Sequence, residues 1–142
     1  MTEIDRNGLE VLTSEQCLRL LAHATIGRIG ITSGALPMIL PVNFRVDGDQ
    51  ILFRTGLGTK LDAATRGAVV AFEVDDFDPV YHSGWSVLVT GIATEVHPSP
   101  DDVIAQATPR WAPGSDGRFV AVSIEQISGR RLDGAIGADG DS

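Results

Sequence analysis

Between Ile26 and Val96 the chain repeats one pattern, an apolar run rich in β-branched and aromatic residues and then a turn. The runs are Ile26 to Thr32, Met38 to Val46, Gln50 to Thr55, Ala68 to Val74 and Trp85 to Val96, and a last one follows at Phe119 to Ile127. Such spacing predicts strands. The regular strand-helix alternation that a parallel sheet needs is missing. A chain of this kind closes into a barrel more readily than it forms a doubly wound α/β fold. The expected class is therefore mainly β (α+β): about six mostly antiparallel strands with a few short helices.

Details refine the strands. Ser33-Gly34-Ala35-Leu36-Pro37 reads as a turn, and Asp47-Gly48-Asp49 closes a β-hairpin. Pro41 lies inside the second strand and marks an edge or a bulge, because proline cannot donate to a ladder. Ala68 to Val74 is continuously apolar and reads as central. Asp75 to Gly84 reads as a loop. Gly91 predicts a bulge or bend in the longest strand. The alternation from Phe119 slips near Ile127.

Two helices have start signals. Thr13 and Gln16 fit a capping box ahead of Ser14 to Ala24, whose Cys17, Leu20, Leu21 and Ala24 recur at helical spacing. Cys17, the one cysteine, reads as a small core hydrophobe and excludes an internal disulfide. Ser99-Pro100-Asp101-Asp102 predicts a second helix to about Ala107. Residues 1–11 carry no pattern and are expected to be flexible, residues 12–132 form one domain, and the glycine- and acid-rich 133–142 are expected to be disordered.

The chemistry concentrates in Arg54-Thr55-Gly56-Leu57-Gly58-Thr59-Lys60-Leu61. A strand pattern runs in and a short helical pattern, Leu61 to Thr65, runs out. Glycines turn backbone N–H groups toward a ligand, and a helix N-terminus offers unpaired donors with partial positive charge. Arg54 supplies a planar fork of donors and Lys60 a point charge. Together they suit a phosphate. Neither the Walker nor the Rossmann spacing is present. Lys60 is the only lysine beside ten arginines. The alternative, a plain surface turn with two solvated cations, has about even odds on these residues alone.

Net charge of −8 and a pI of about 4.6 argue against nucleic-acid partners. No apolar signal segment opens the chain and no run is long enough to span a membrane, so a cytoplasmic location is expected. No His/Asp/Glu cluster has metal-ligand spacing.

Taken in order, Gly27-Arg28-Ile29-Gly30, Leu40-Pro41-Val42-Asn43-Phe44, Phe53-Arg54-Thr55, Gly58-Thr59-Lys60, Gly84-Trp85-Ser86-Val87 and Gly129-Arg130-Arg131-Leu132 make up a set. This ordered set resembles the pyridoxamine 5′-phosphate oxidase-like family, the flavin-binding split β-barrels. The resemblance covers roughly residues 10–132 and implies a homodimer with a flavin in each of two grooves between protomers. It further implies that Arg54, Thr55 and Lys60 hold the FMN phosphate and that Thr59 and Leu61 add backbone N–H groups. Pro41, Val42 and Asn43 would run along the isoalloxazine edge, and Trp85 would help close the pocket. The implied activity is an FMN-dependent oxidoreductase acting on an unidentified small molecule, in which the flavin carries the hydride chemistry. Tyr81 and His82 are candidate proton donors above the ring. Vitamin B6 oxidation itself is not expected, because the chain ends soon after Leu132. Alternatives on the same barrel are a deazaflavin-dependent reductase or a non-enzymatic flavin or haem binder, the last needing an axial ligand from His23, His82 or His97.

Overall fold

The computed structural model describes residues 2–55, 67–109 and 118–133. Within them lie β1 (Glu3–Ile4), β2 (Glu10–Val11), α1 (Ser14–His23), β3 (Ile26–Ser33), β4 (Leu36–Asp47), β5 (Gln50–Thr55), β6 (Val69–Asp78), β7 (Ser83–Val96), α2 (Val103–Ala107), β8 (Arg118–Ser123) and β9 (Gln126–Leu132). All strand pairs are antiparallel. Strands β3, β4, β5, β8, β7 and β6 pair in that order and β6 returns to β3, so six strands close a barrel. The expected fold class holds.

Closure depends on the length of β7. Its first part pairs with β6 on one side and β9 on the other, and its last residues, Ala93 to Val96, pair with β8. Gly91 stands where β7 changes partners. The sequence suggests a bulge or bend here; the structure shows a close approach of two backbones. A Cβ on Gly91 would sit 1.6 Å from the carbonyl oxygen of Ser123, so only a residue without a side chain lets the two backbones meet.

The barrel is filled by inward-facing residues of each of these six strands. Phe44, Phe53 and Phe72 are fully buried, and the rings of Phe44 and Phe72 meet edge to face with centroids 4.9 Å apart. Helix α1 has the expected capping box. Gln16 N donates to Thr13 Oγ1 (3.1 Å), and Thr13 N donates to Gln16 Oε1 (2.8 Å). Cys17 and Leu21 are buried, Cys17 against Leu12 and Val87. Burial pushes the Cys17 thiol above its ordinary value, which fits an inert core side chain.

Several boundaries differ from the sequence reading. Asp75 to Gly84 is not a loop. The ladder between β6 and β7 continues to Asp78↔Ser83, and Asp78 Oδ1 accepts the N–H groups of Val80 and Tyr81 to close a tight turn. His82 takes a positive φ of 53° there. Ladder pairing outweighs the low strand propensity of three aspartates. The run from Phe119 is two strands, and the slip in alternation is the break between β8 and β9. Helix α2 is capped by Asp102, whose carboxylate accepts Ala105 N at 3.0 Å, while Ser99 Oγ accepts Asp101 N in the turn before it. The helix therefore begins later than the Ser-Pro signal suggests.

The expected flexible N-terminus contains β1 and β2. Strand β2 pairs with β9 through Glu10↔Arg131 and Val11↔Arg130, and Arg130 Nε donates to Asp5 Oδ2 at 3.0 Å. Its partner strand lies more than a hundred residues away in sequence, so local patterning carries no trace of it.

Candidate functional site

Strand β4 changes neighbours along its length. From Leu36 to Asn43 it pairs with β3, ending at Ile26↔Asn43. From Phe44 to Asp47 it pairs with β5, ending at Phe44↔Phe53. Beyond that point β5 continues, paired only with β8 through Arg54↔Phe119 and Thr55↔Arg118. The two strands thus part company after Phe44 and Phe53. Among the described residues, the edge of β4 facing away from β3 and the edge of β5 facing away from β8 have no ladder partner there. Such edges present backbone donors and acceptors.

The sequence candidates fall on both lips of this split. Pro41 is exposed, Asn43 is half-buried, and Val42 is 1% exposed with its side chain in the barrel core. Val42 therefore has only its backbone to offer a ligand. Pro41 sits in register opposite Arg28 and produces no bulge; it keeps a donor off the outer edge. Arg54 is half-buried on the opposite lip, its guanidinium carbon 4.3 Å from the centroid of Phe119. Thr55 follows it as the last residue of β5. Thr59, Lys60 and Leu61, with the helical pattern after them, lie outside the described residues, as does the tail from Gly134.

Trp85 is not brought to this split within the chain. It lies on β7, three strands from β4 in the order β7–β6–β3–β4. There it is half-buried, faces Asp76 and Arg131 in register, and lines an open cleft of about 520 Å³ with Phe77, Asp78 and Leu132. Tyr81 and His82 are exposed in the adjoining turn.

The outward face of β4, β3, β6 and β7 has an unusual composition. Ile26, Ile39, Val69, Leu88 and Ile92 all stand exposed, Ile39 by 73%. The row Ile39, Gly30, Ala71 and Thr90 crosses its middle in register, and Gly30 and Ala71 leave a depression of about 380 Å³. Beside it Arg28 bridges Glu73 (3.1 Å) and Asp75 (3.3 Å). Desolvation and the neighbouring Asp75 hold the Glu73 carboxyl above its usual range. The hydrogen bond from Glu73, with Arg28, holds Asp75 below it.

Sequence reasoning missed Arg118. Cross-strand to Thr55, it stands at the same end of β5, on the face opposite to Arg54 and Phe119, and it is exposed. Sixty-odd residues separate the two positions in sequence, and no local signal links them. The three histidines are exposed on separate elements. Among the described residues no group of His, Cys, Asp or Glu could hold a metal ion, and no helix is long and apolar enough to cross a membrane.

The family model described as pyridoxamine 5′-phosphate oxidase matches residues 13–131. The chain belongs to the pyridoxamine 5′-phosphate oxidase family. Within that similarity, the uncharacterized protein Rv0080 of Mycobacterium tuberculosis is 39% identical over 128 residues, spanning 85% of this chain and 84% of its own. The solved FAD binding protein of Mycobacterium smegmatis is 35% identical, with a TM-score of 0.68 over 87% of this chain and 98% of its own. A conserved protein of unknown function from Corynebacterium diphtheriae is 31% identical, with a TM-score of 0.71 over the same shares of both chains, 87% and 98%. The matched residues of the pyridoxamine 5′-phosphate oxidase family model include both lips of the β4–β5 split.

Proposed function

We propose that this chain is a flavin-dependent oxidoreductase that binds FMN in the split between β4 and β5, within a homodimer, and acts on a small molecule. The observation that carries the reading is the end of the β4–β5 ladder at Phe44↔Phe53, with Asn43 on one lip and Arg54 on the other. The residues suit the group. Asn43 has an amide able to donate and accept toward a ring edge, the outer edge of β4 adds backbone groups, and Arg54 carries a donor fork for phosphate. Lys60 and the backbone of Thr59 and Leu61 complete the phosphate site in this reading. A bound flavin supplies the hydride chemistry. The chain's own task is then to bind, orient and exclude water. Thr55 and Arg54 end a strand fixed by β8, so the cation is held on a rigid element.

The homodimer reading draws support from the exposed apolar face around Ile39. Contiguous apolar surface of this kind marks an interaction site. A second copy would bring its own Trp85 cleft to the assembly, which accounts for a tryptophan three strands from the split. Arg118 favours a cofactor with a second phosphate. The similar Mycobacterium smegmatis protein is an FAD binding protein, so FAD is the second reading.

Titration with FMN and with FAD, followed by flavin fluorescence, tests both. Lys60→Ala should weaken FMN binding by a charge-assisted hydrogen bond, on the order of 1.5–3 kcal/mol. An unchanged affinity would move the phosphate elsewhere. Tighter binding of FAD than FMN, lost in Arg118→Ala, would favour the second reading.

A further inference from the structure

The guanidinium of Arg54 rests on an aromatic ring, and we propose that Phe119 is a positioning residue for it. Phe119 sets the plane of Arg54 and thereby the preference of the site for phosphorylated flavins over riboflavin. The proposal rests on the flavin reading above.

Three observations support it. Arg54 and Phe119 are direct partners in the β5–β8 ladder, so they project from the same face. The guanidinium carbon lies 4.3 Å from the ring centroid, within cation–π range. Phe119 is itself held: β8 lies between β5 and β7, Phe119 faces Val96 on its other side, and it packs against the buried cluster of Leu52, Ala105 and Ala121.

The geometry has a chemical consequence. A ring engages the face of a guanidinium, whereas all five N–H donors lie in the guanidinium plane. A ring stacked on that face would orient the fork without occupying it. An aliphatic residue at position 119 would still support the arginine stem, but it would attract no charge and would leave the plane free to rotate. A purely structural phenylalanine predicts something different, a loss shared equally by every ligand.

Binding of FMN and of riboflavin, which lacks the phosphate, separates the two. Phe119→Leu should weaken FMN about three- to tenfold, the range of a partly desolvated cation–π contact, and leave riboflavin within about twofold. Phe119→Tyr keeps a ring face and should restore the FMN-to-riboflavin ratio. Phe119→Met keeps most of the volume without a quadrupole and carries the same test if the leucine variant is unstable. In an Arg54→Met background, Phe119→Leu should no longer move the ratio. Equal losses for both ligands, no loss for either, or a ratio that still moves without Arg54 would each overturn the proposal while leaving flavin binding intact. Failure of the wild-type protein to bind FMN at all would overturn the flavin reading, and this one with it.

Discussion

Replacing Gly91 by alanine tests how the barrel closes. The added Cβ would lie 1.6 Å from the Ser123 carbonyl oxygen, 2.8 Å from its carbonyl carbon and 3.1 Å from Val122 Cγ1. The first two are backbone atoms, so no rotamer change relieves them. Strand β8 or β7 must recede by about 2 Å before ordinary contact distance is reached. That movement falls on the seam where Ile92 N donates to Ser123 Oγ at 3.0 Å and where Ala93↔Val122 and Thr94↔Ala121 begin the closing ladder. Overpacking costs about 1–3 kcal/mol, and each hydrogen bond lost or stretched adds about 1 kcal/mol. We expect Gly91→Ala to lose about 3–5 kcal/mol, a large share of the roughly 5–15 kcal/mol that a domain has. Gly30→Ala is the control, since its Cβ would meet only Ala71, at ordinary contact distances of 3.6 Å to Cβ and 3.9 Å to the carbonyl oxygen. It should change stability by less than about 1 kcal/mol, with gain possible from the restricted unfolded chain. Urea unfolding at fixed protein concentration measures both. A Gly91→Ala variant within about 1 kcal/mol of wild type, or equal to Gly30→Ala, would refute the view that β7 and β8 meet by backbone contact there.

Three further outcomes are expected. Thr13→Ala removes the acceptor for Gln16 N and half of the capping box, so it should cost about 0.5–2 kcal/mol in the same assay; a neutral result would mean that α1 is held by packing alone. Asp5 accepts the N–H groups of Leu9 and Asn7 and pairs with Arg130, which hold its carboxyl below the usual range. Its contribution is therefore present at neutral pH and is lost as pH falls through that depressed value, so the stability gap between wild type and Asp5→Asn should shrink on acidification; a pH-independent gap would contradict the assignment. Ile39→Asp places a charge on the exposed apolar face and should shift sedimentation toward monomer without unfolding the barrel, whereas an unchanged oligomer would put the interface elsewhere.

Much of the barrel was legible because its cues are local. The hairpin through Asp47-Gly48-Asp49 announces itself by composition, and Gly48 does take a positive φ of 62°. The capping box at Thr13 and Gln16 is a three-residue pattern that the backbone obeys. Where a residue's fate depends on its ladder partner rather than on its own propensity, the cues fail. The aspartates after Val74 read as a loop, yet they pair with β7. Residues 1–11 have no pattern, yet Glu10 and Val11 pair with β9 and Glu3 and Ile4 pair with them in turn.

The candidate site divides in the same way. Arg54 was a candidate from residue type alone, a cation beside glycines, whereas Pro41 and Asn43 became candidates only through the ordered set of motifs, since a proline inside a strand by itself says only edge or bulge. By itself the sequence determined the antiparallel class and where most of the strands run, and it offered residues with the chemistry for an anion, since periodicity and side-chain chemistry are written along the chain; β1, β2 and the break between β8 and β9 were not legible in it. Only the tertiary structure decided where β4 leaves β5, that Phe119 lies under Arg54, that Arg118 joins the same strand end, and that Trp85 stands apart from the split. Each of these is a relation between residues brought together by barrel closure, and closure is set by the summed register of six strands rather than by any one stretch.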